Sequence, residues 1–114
     1  DITRLVAAIR RSGAEPVLMT HAVRVTNPPR RSDRDDLFAM RLYVPRAWEA
    51  IIAKFEYLAA ERVRQVAVRS HVRLVDVAKA LNGRRDRFID LVHFSPAGHG
   101  EVARLIHHAL LDPS

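Results

Sequence analysis

The chain has 114 residues, 48% of them hydrophobic, and carries 19 basic against 13 acidic side chains for a net charge of +6. That length holds one domain at most, the apolar fraction is too high for a disordered tail, and the positive balance attracts phosphates or acidic substrates without naming one. Zero cysteines exclude a disulfide framework and a thiolate metal site, and no run approaches the roughly 18 apolar residues of a membrane span, so no transmembrane segment is expected.

Ile2, Leu5, Val6 and Ile9 recur at spacings of three and four, which predicts a helix, and Ser12-Gly13 supplies its stop. The run PVLMT from Pro16 to Thr20 predicts a short strand covered on both faces. Val25 to Pro45 contains Asn27-Pro28-Pro29 and the charged run RRSDRDD, which predicts a long excursion with a short helix around Leu37 to Leu42. Asn27 to Arg46 then serves either as a substrate-facing lid or as a surface insertion. Trp48, Ile51, Ile52, Phe55, Leu58, Val63 and Val66 predict the longest helix, reaching about Arg69, with Arg62, Arg64 and Arg69 mostly outward.

Leu74 to Val77 reads as a second buried strand, and Asn82-Gly83 as a turn leading into Arg84, Arg85 and Arg87, expected to be solvated. Ser95-Pro96 pairs a helix cap with a first helical residue, and Val102, Leu105, Ile106, Ala109 and Leu110 form the inward face of a closing helix whose first turn holds His99. Helix, strand, helix, strand, helix is an α/β order, with helices crossing between parallel strands.

Asp90 and His93 stand three residues apart between the second strand and the last helix. In open α/β sheets functional groups gather in loops at the carboxyl ends of strands. An acid beside a histidine can fix its tautomer and stabilise the imidazolium formed when the ring takes a proton from a nucleophile. His21, just after the first strand, is read as structural rather than as part of the active-site mouth. His93, His99, His107 and His108 have no HExxH spacing and no partner carboxylate cluster at ligand spacing, so neither a metal nor a cofactor is expected. An alternative reading is a basic nucleic-acid-binding or interaction module, because VDVAKALNGRRDRF reads like the opening of a helix-turn-helix. Leu74 to Val77 makes a better strand than a helix start, and no second amphipathic helix follows, so a specific nucleic-acid partner is not expected.

FIDLVHFSPAGHGEVARLI resembles the last conserved block of the SGNH, or GDSL-type, hydrolases, in which a DxxH motif supplies the catalytic acid and base. GAEPVLMT and VRQVAVRSHVRLVDVAKAL resemble the strand, helix and strand before it. The resemblance covers nearly the whole chain but half of the family's domain. It implies that residues 1–114 are the carboxyl-terminal portion of a single flavodoxin-like, three-layer α/β/α sandwich with a parallel sheet. It also implies a serine hydrolase of carboxylic esters (esterase, lipase-like enzyme or carbohydrate deacetylase), with His93 as base and then acid and Asp90 orienting it.

The family's GDS-like nucleophile and its glycine and asparagine oxyanion donors belong to earlier blocks, which this sequence lacks. The serines here are Ser12, Ser32, Ser70, Ser95 and Ser114, and none has the expected setting; Ser95 is better used as a helix cap. The expectation is therefore that a missing amino-terminal segment of the same domain supplies the nucleophile, and that this segment alone is inactive. A non-catalytic pseudo-hydrolase that keeps the fold is a third reading.

Overall fold

In the computed structural model, which describes residues 1–112, helix α1 (Ile2–Arg11) starts where the Asp1 side chain accepts a hydrogen bond from the Thr3 N–H at 2.9 Å. It ends with Arg10 and Arg11 against the negative end of the helix dipole and with Gly13 at φ +86°, a conformation glycine adopts without steric cost. Strand β1 (Val17–Met19) follows and pairs in parallel with β2 (Arg73–Val75), in the register Val17 to Arg73, Leu18 to Leu74 and Met19 to Val75. The Thr20 N–H extends the ladder to the Val75 carbonyl. The fold is thus a small α/β arrangement on a two-stranded parallel sheet, with one open edge on each strand.

Between the strands lie a 3-10 turn (Arg31–Asp33), α2 (Arg34–Met40) and α3 (Glu49–Arg69). After β2 come α4 (Val77–Leu81), a second 3-10 turn (Arg85–Arg87) and α5 (Pro96–Leu111). No helix among the described residues is long and apolar enough to cross a membrane.

Three expectations are corrected. Val17 and Met19 are exposed, so β1 is not covered on both faces. The second strand stops at Val75, because the Asp76 carboxylate accepts from the Lys79 N–H and caps the unforeseen α4. In α3 the buried residues are Ile52, Ala53, Ala60, Val66 and Ala67, whereas Trp48, Ile51, Phe55 and Leu58 are exposed. Ile52 and Ala53 pack against Val23, Val25, Leu37 and Leu91, while the bulky apolar stripe stays exposed. Leu5 on α1 and Phe38 on α2 add to the uncovered apolar surface.

The core has two parts. Val23, Val25, Leu37, Ile52, Ala53 and Leu91 form one cluster; Ala22, Val75, Val77, Leu81 and Phe88 form another, against which Val102, Leu105, Ile106 and Ala109 of α5 pack. The inward face expected of α5 is therefore present, except that Leu110 is exposed.

Candidate acid–base site

Phe88 and Phe94 form an isolated antiparallel bridge with ring centroids 5.1 Å apart, and the Ile89 N–H donates to the His93 carbonyl at 2.9 Å. The residues between are thus a closed loop on an aromatic base. Phe88 is buried in one core cluster and Leu91 in the other, so the loop is anchored at two independent points. Arg24, in the segment that leaves β1, donates its backbone N–H to the Leu91 carbonyl at 2.9 Å and its guanidinium to the Ile89 carbonyl at 3.3 Å. These bonds bring the loop to the carboxyl side of the sheet.

Downstream, Ser95 caps α5. Its hydroxyl accepts from the Gly98 N–H at 3.2 Å and donates to the Asp86 carbonyl at 2.9 Å. Gly98 is buried where a Cβ would overlap the Arg87 carbonyl oxygen, so only glycine lets the start of α5 meet the second 3-10 turn.

Within the loop, Asp90 Oδ1 accepts from the Val92 N–H at 3.0 Å and the His93 N–H at 2.8 Å. His93 Nδ1 lies 2.8 Å from Asp90 Oδ2 and 3.0 Å from Oδ1. Facing a carboxylate, which only accepts, Nδ1 is the ring nitrogen that donates. The His93 side chain is 71% exposed, and no serine hydroxyl among the described residues hydrogen-bonds its ring. The arrangement fixes the orientation of the His93 ring.

The hydrogen bond from the His93 amide, with those from Val92 and the imidazole, lowers the Asp90 carboxyl from 3.8 to about 2. A carboxyl lowered on folding stabilises the native state above its unfolded value and loses that contribution as pH falls toward its folded value. The Asp90 contribution is therefore complete at neutral pH and fades only as pH drops from 3.8 toward about 2. Its energy is small, because the side chain is 54% exposed and screened by solvent. A carboxyl-detected NMR titration should place the Asp90 midpoint near 2, and in His93→Ala the midpoint should rise only part of the way, because both amide bonds remain. A midpoint near 3.8 in the parent protein would mean that the loop is not closed in solution.

The pair opens on a cleft of about 390 Å³ lined by Asp36, Ala39, Met40, Tyr43, Asp90, Leu91, Val92 and His93. Its far wall is α2 and the turn after it, so this part of the excursion does face the site. A larger cleft of about 590 Å³, bordered by Arg30, Arg31, Arg34, Leu37 and Phe38, lies on other faces of α2 and contains no acid–base pair.

Asp33 holds this wall in place. It is fully buried and accepts from the Thr26 N–H (3.1 Å), the Thr26 hydroxyl (3.0 Å), the Arg30 N–H (2.8 Å) and Arg85 (3.2 Å). Burial raises its pKa, but these bonds and the Arg30 charge outweigh that and lower it. The same Arg85 nitrogen meets Asp36 at 3.0 Å, while Arg84 and Arg87 pair with Glu101. The expected solvated arginine turn is instead a clamp joining the excursion, the second 3-10 turn and α5.

The other singled-out residues lie apart from the cleft. His21 is exposed and 3.2 Å from Glu56, whose hydrogen bond raises its pKa. His99 stands in the first turns of α5 with its ring edge-on to Phe94 at 5.7 Å. Arg64, expected to point outward, makes a two-pronged bond to Asp76, which also accepts from the Thr20 hydroxyl. Ser12 donates to the Ile9 carbonyl, Ser70 ends α3, and Ser114 lies outside the described residues. Among the described residues no three His, Asp or Glu side chains converge where they could hold a metal ion.

Sequence reasoning did not single out Arg24, Asp36, Ala39, Met40 or Tyr43. Positions 36, 39, 40 and 43 follow the spacing of one helix face, a signal that was present; Arg24 offered none. Comparison with protein-family models, curated proteins and solved structures gives no match to this chain.

Proposed function

We propose that this chain is the acid–base portion of an SGNH-type serine hydrolase of carboxylic esters. The observation that carries the reading is His93 Nδ1 held 2.8 Å from a carboxylate that is itself fixed by two amides, with the rest of the ring open. In this reading His93 Nε2 takes the proton of a serine hydroxyl as that oxygen attacks the ester carbon, and then gives it to the departing alcohol. Asp90 orients the ring and stabilises the imidazolium without taking the proton.

The nucleophile and the oxyanion donors come from an amino-terminal segment of the same domain, and residues 1–114 alone are inactive. The sheet is then the edge of a larger parallel sheet in a three-layer α/β/α sandwich. Two features support that larger fold: the open edge of β1, with Val17 and Met19 exposed, and the uncovered apolar stripe on α3.

The test is covalent labelling of the complete protein with a fluorophosphonate, followed by peptide mapping. The label should fall on one serine outside residues 1–114 and should be lost in His93→Ala. Labelling of no serine, or labelling independent of His93, would overturn the assignment.

A further inference from the structure

Resting on that reading, we infer that the cleft between α2 and the Asp90–His93 loop receives the alcohol half of the ester, and that this alcohol is small and apolar rather than a sugar. The step itself fixes which half lies here. Serine Oγ forms a bond to the carbonyl carbon and passes its proton to Nε2; the bond from that carbon to the alkoxy oxygen then breaks, its electron pair leaves with the oxygen, and Nε2 returns the proton to it. The leaving oxygen must come within hydrogen-bond reach of the imidazole. The group attached to that oxygen therefore occupies the space beside His93, and the acyl chain leads away from it.

The space beside His93 is the cleft of about 390 Å³, near the lower end of small-molecule pockets and suited to one ring or a short chain. Its walls are the apolar Ala39, Met40, Leu91 and Val92 and the aromatic Tyr43. Its two carboxylates are already engaged. Asp36 meets Arg24 and Arg85, and Asp90 holds the His93 ring and two amides. A sugar would bring several hydroxyls into this space, where besides His93 and the engaged carboxylates the lining offers only the Tyr43 hydroxyl, and desolvating polar groups without partners is costly. Ala39, exposed on α2, is the position where added bulk narrows the cleft without disturbing the core.

The test uses the complete protein and Ala39→Phe. Acetates of methanol, butanol, benzyl alcohol and a monosaccharide vary the alcohol; ethyl esters of acetic, butyric and octanoic acids vary the acyl group. The parent should prefer benzyl and butyl acetate to the acetylated sugar. In Ala39→Phe the kcat/KM ratio of benzyl to methyl acetate should fall about tenfold, a discrimination of the size hydrophobic pockets give, while the ratio of ethyl octanoate to ethyl acetate stays within about twofold. A preference for the sugar acetate, or a loss that follows acyl length instead, would overturn the inference.

Titration of benzyl alcohol, followed by NMR shifts of the Met40 methyl, separates this inference from the hydrolase reading. If no ester is turned over, the hydrolase reading fails; if benzyl alcohol then binds equally well to parent and Ala39→Phe, the cleft assignment fails as well. Binding weakened about tenfold by Ala39→Phe would uphold an apolar alcohol site in its own right.

Discussion

His93→Ala in the complete protein is expected to lower ester turnover by about 10⁵- to 10⁶-fold while leaving the fold intact. The size follows from what is removed. In the proposed reaction, loss of the imidazole leaves nothing to take the serine proton as the oxygen attacks or to return it to the alcohol, so the remaining acceleration would come from binding and oxyanion contacts alone. The fold should survive because the side chain is largely exposed, and Asp90, to which the ring is bonded, keeps both amide bonds. Asp90→Ala should cost less, about 10⁴-fold, since the acid orients and stabilises the base but does not carry the proton. That variant also frees the Val92 and His93 amides, so part of its loss will reflect a loosened loop. Single-turnover hydrolysis of a short-chain aryl ester, with circular dichroism on each variant, measures both. Near-normal turnover by folded His93→Ala would leave the pair as an ordinary loop contact.

Asp33→Ala is expected to produce the largest loss of stability, about 3 to 5 kcal/mol, the range for removing one partner of a buried charged network. The carboxylate is fully buried and receives four hydrogen bonds, including the backbone amides of Thr26 and Arg30. Alanine leaves those donors without an acceptor and leaves Arg85 with Asp36 alone, while Asp33→Asn keeps the shape and one acceptor and should recover part of the loss. Urea unfolding of the complete protein reads the difference. Because Asp33 anchors the turn from which α2 starts, Asp33→Ala should also lower ester turnover at temperatures where the protein is still folded. A shift under about 1 kcal/mol would mean that water replaces the network and that the wall is held by Leu37 and its apolar neighbours instead.

The element order was legible because each long element carries a strong local signal. Ile2 to Ile9 and Ser95-Pro96 fixed the two terminal helices within a residue or two, and the PVLMT and Leu74 runs located the paired strands. Errors arose where a third dimension decides. Hydrophobic spacing on α3 identified a helix but could not tell that Ala53, Ala60 and Ala67 would be buried while Trp48 and Phe55 stay exposed, since apolar character alone does not say which face is covered. Val77 looked like strand because it continues an apolar run, yet Asp76 had a side chain able to cap and a Thr20 hydroxyl within reach across the sheet. The pairing of Asp90 with His93 was legible because the two residues are three apart in sequence. Arg24, 65 residues from Ile89 in sequence, and Arg85, 52 from Asp33, act over separations that no local pattern encodes.

The loop anchored in both core clusters also governs how the protein breathes. A surface loop held at one point can swing on nanosecond to microsecond scales without disturbing its base. Here Phe88 and Leu91 belong to different clusters, so a large excursion of the Asp90–His93 turn requires one of two packed units to open. The acid–base geometry thereby inherits the opening free energy of the less stable cluster rather than that of a frayed loop. Substitutions deep in either cluster would reach the Asp90–His93 pair by changing how often the loop is released.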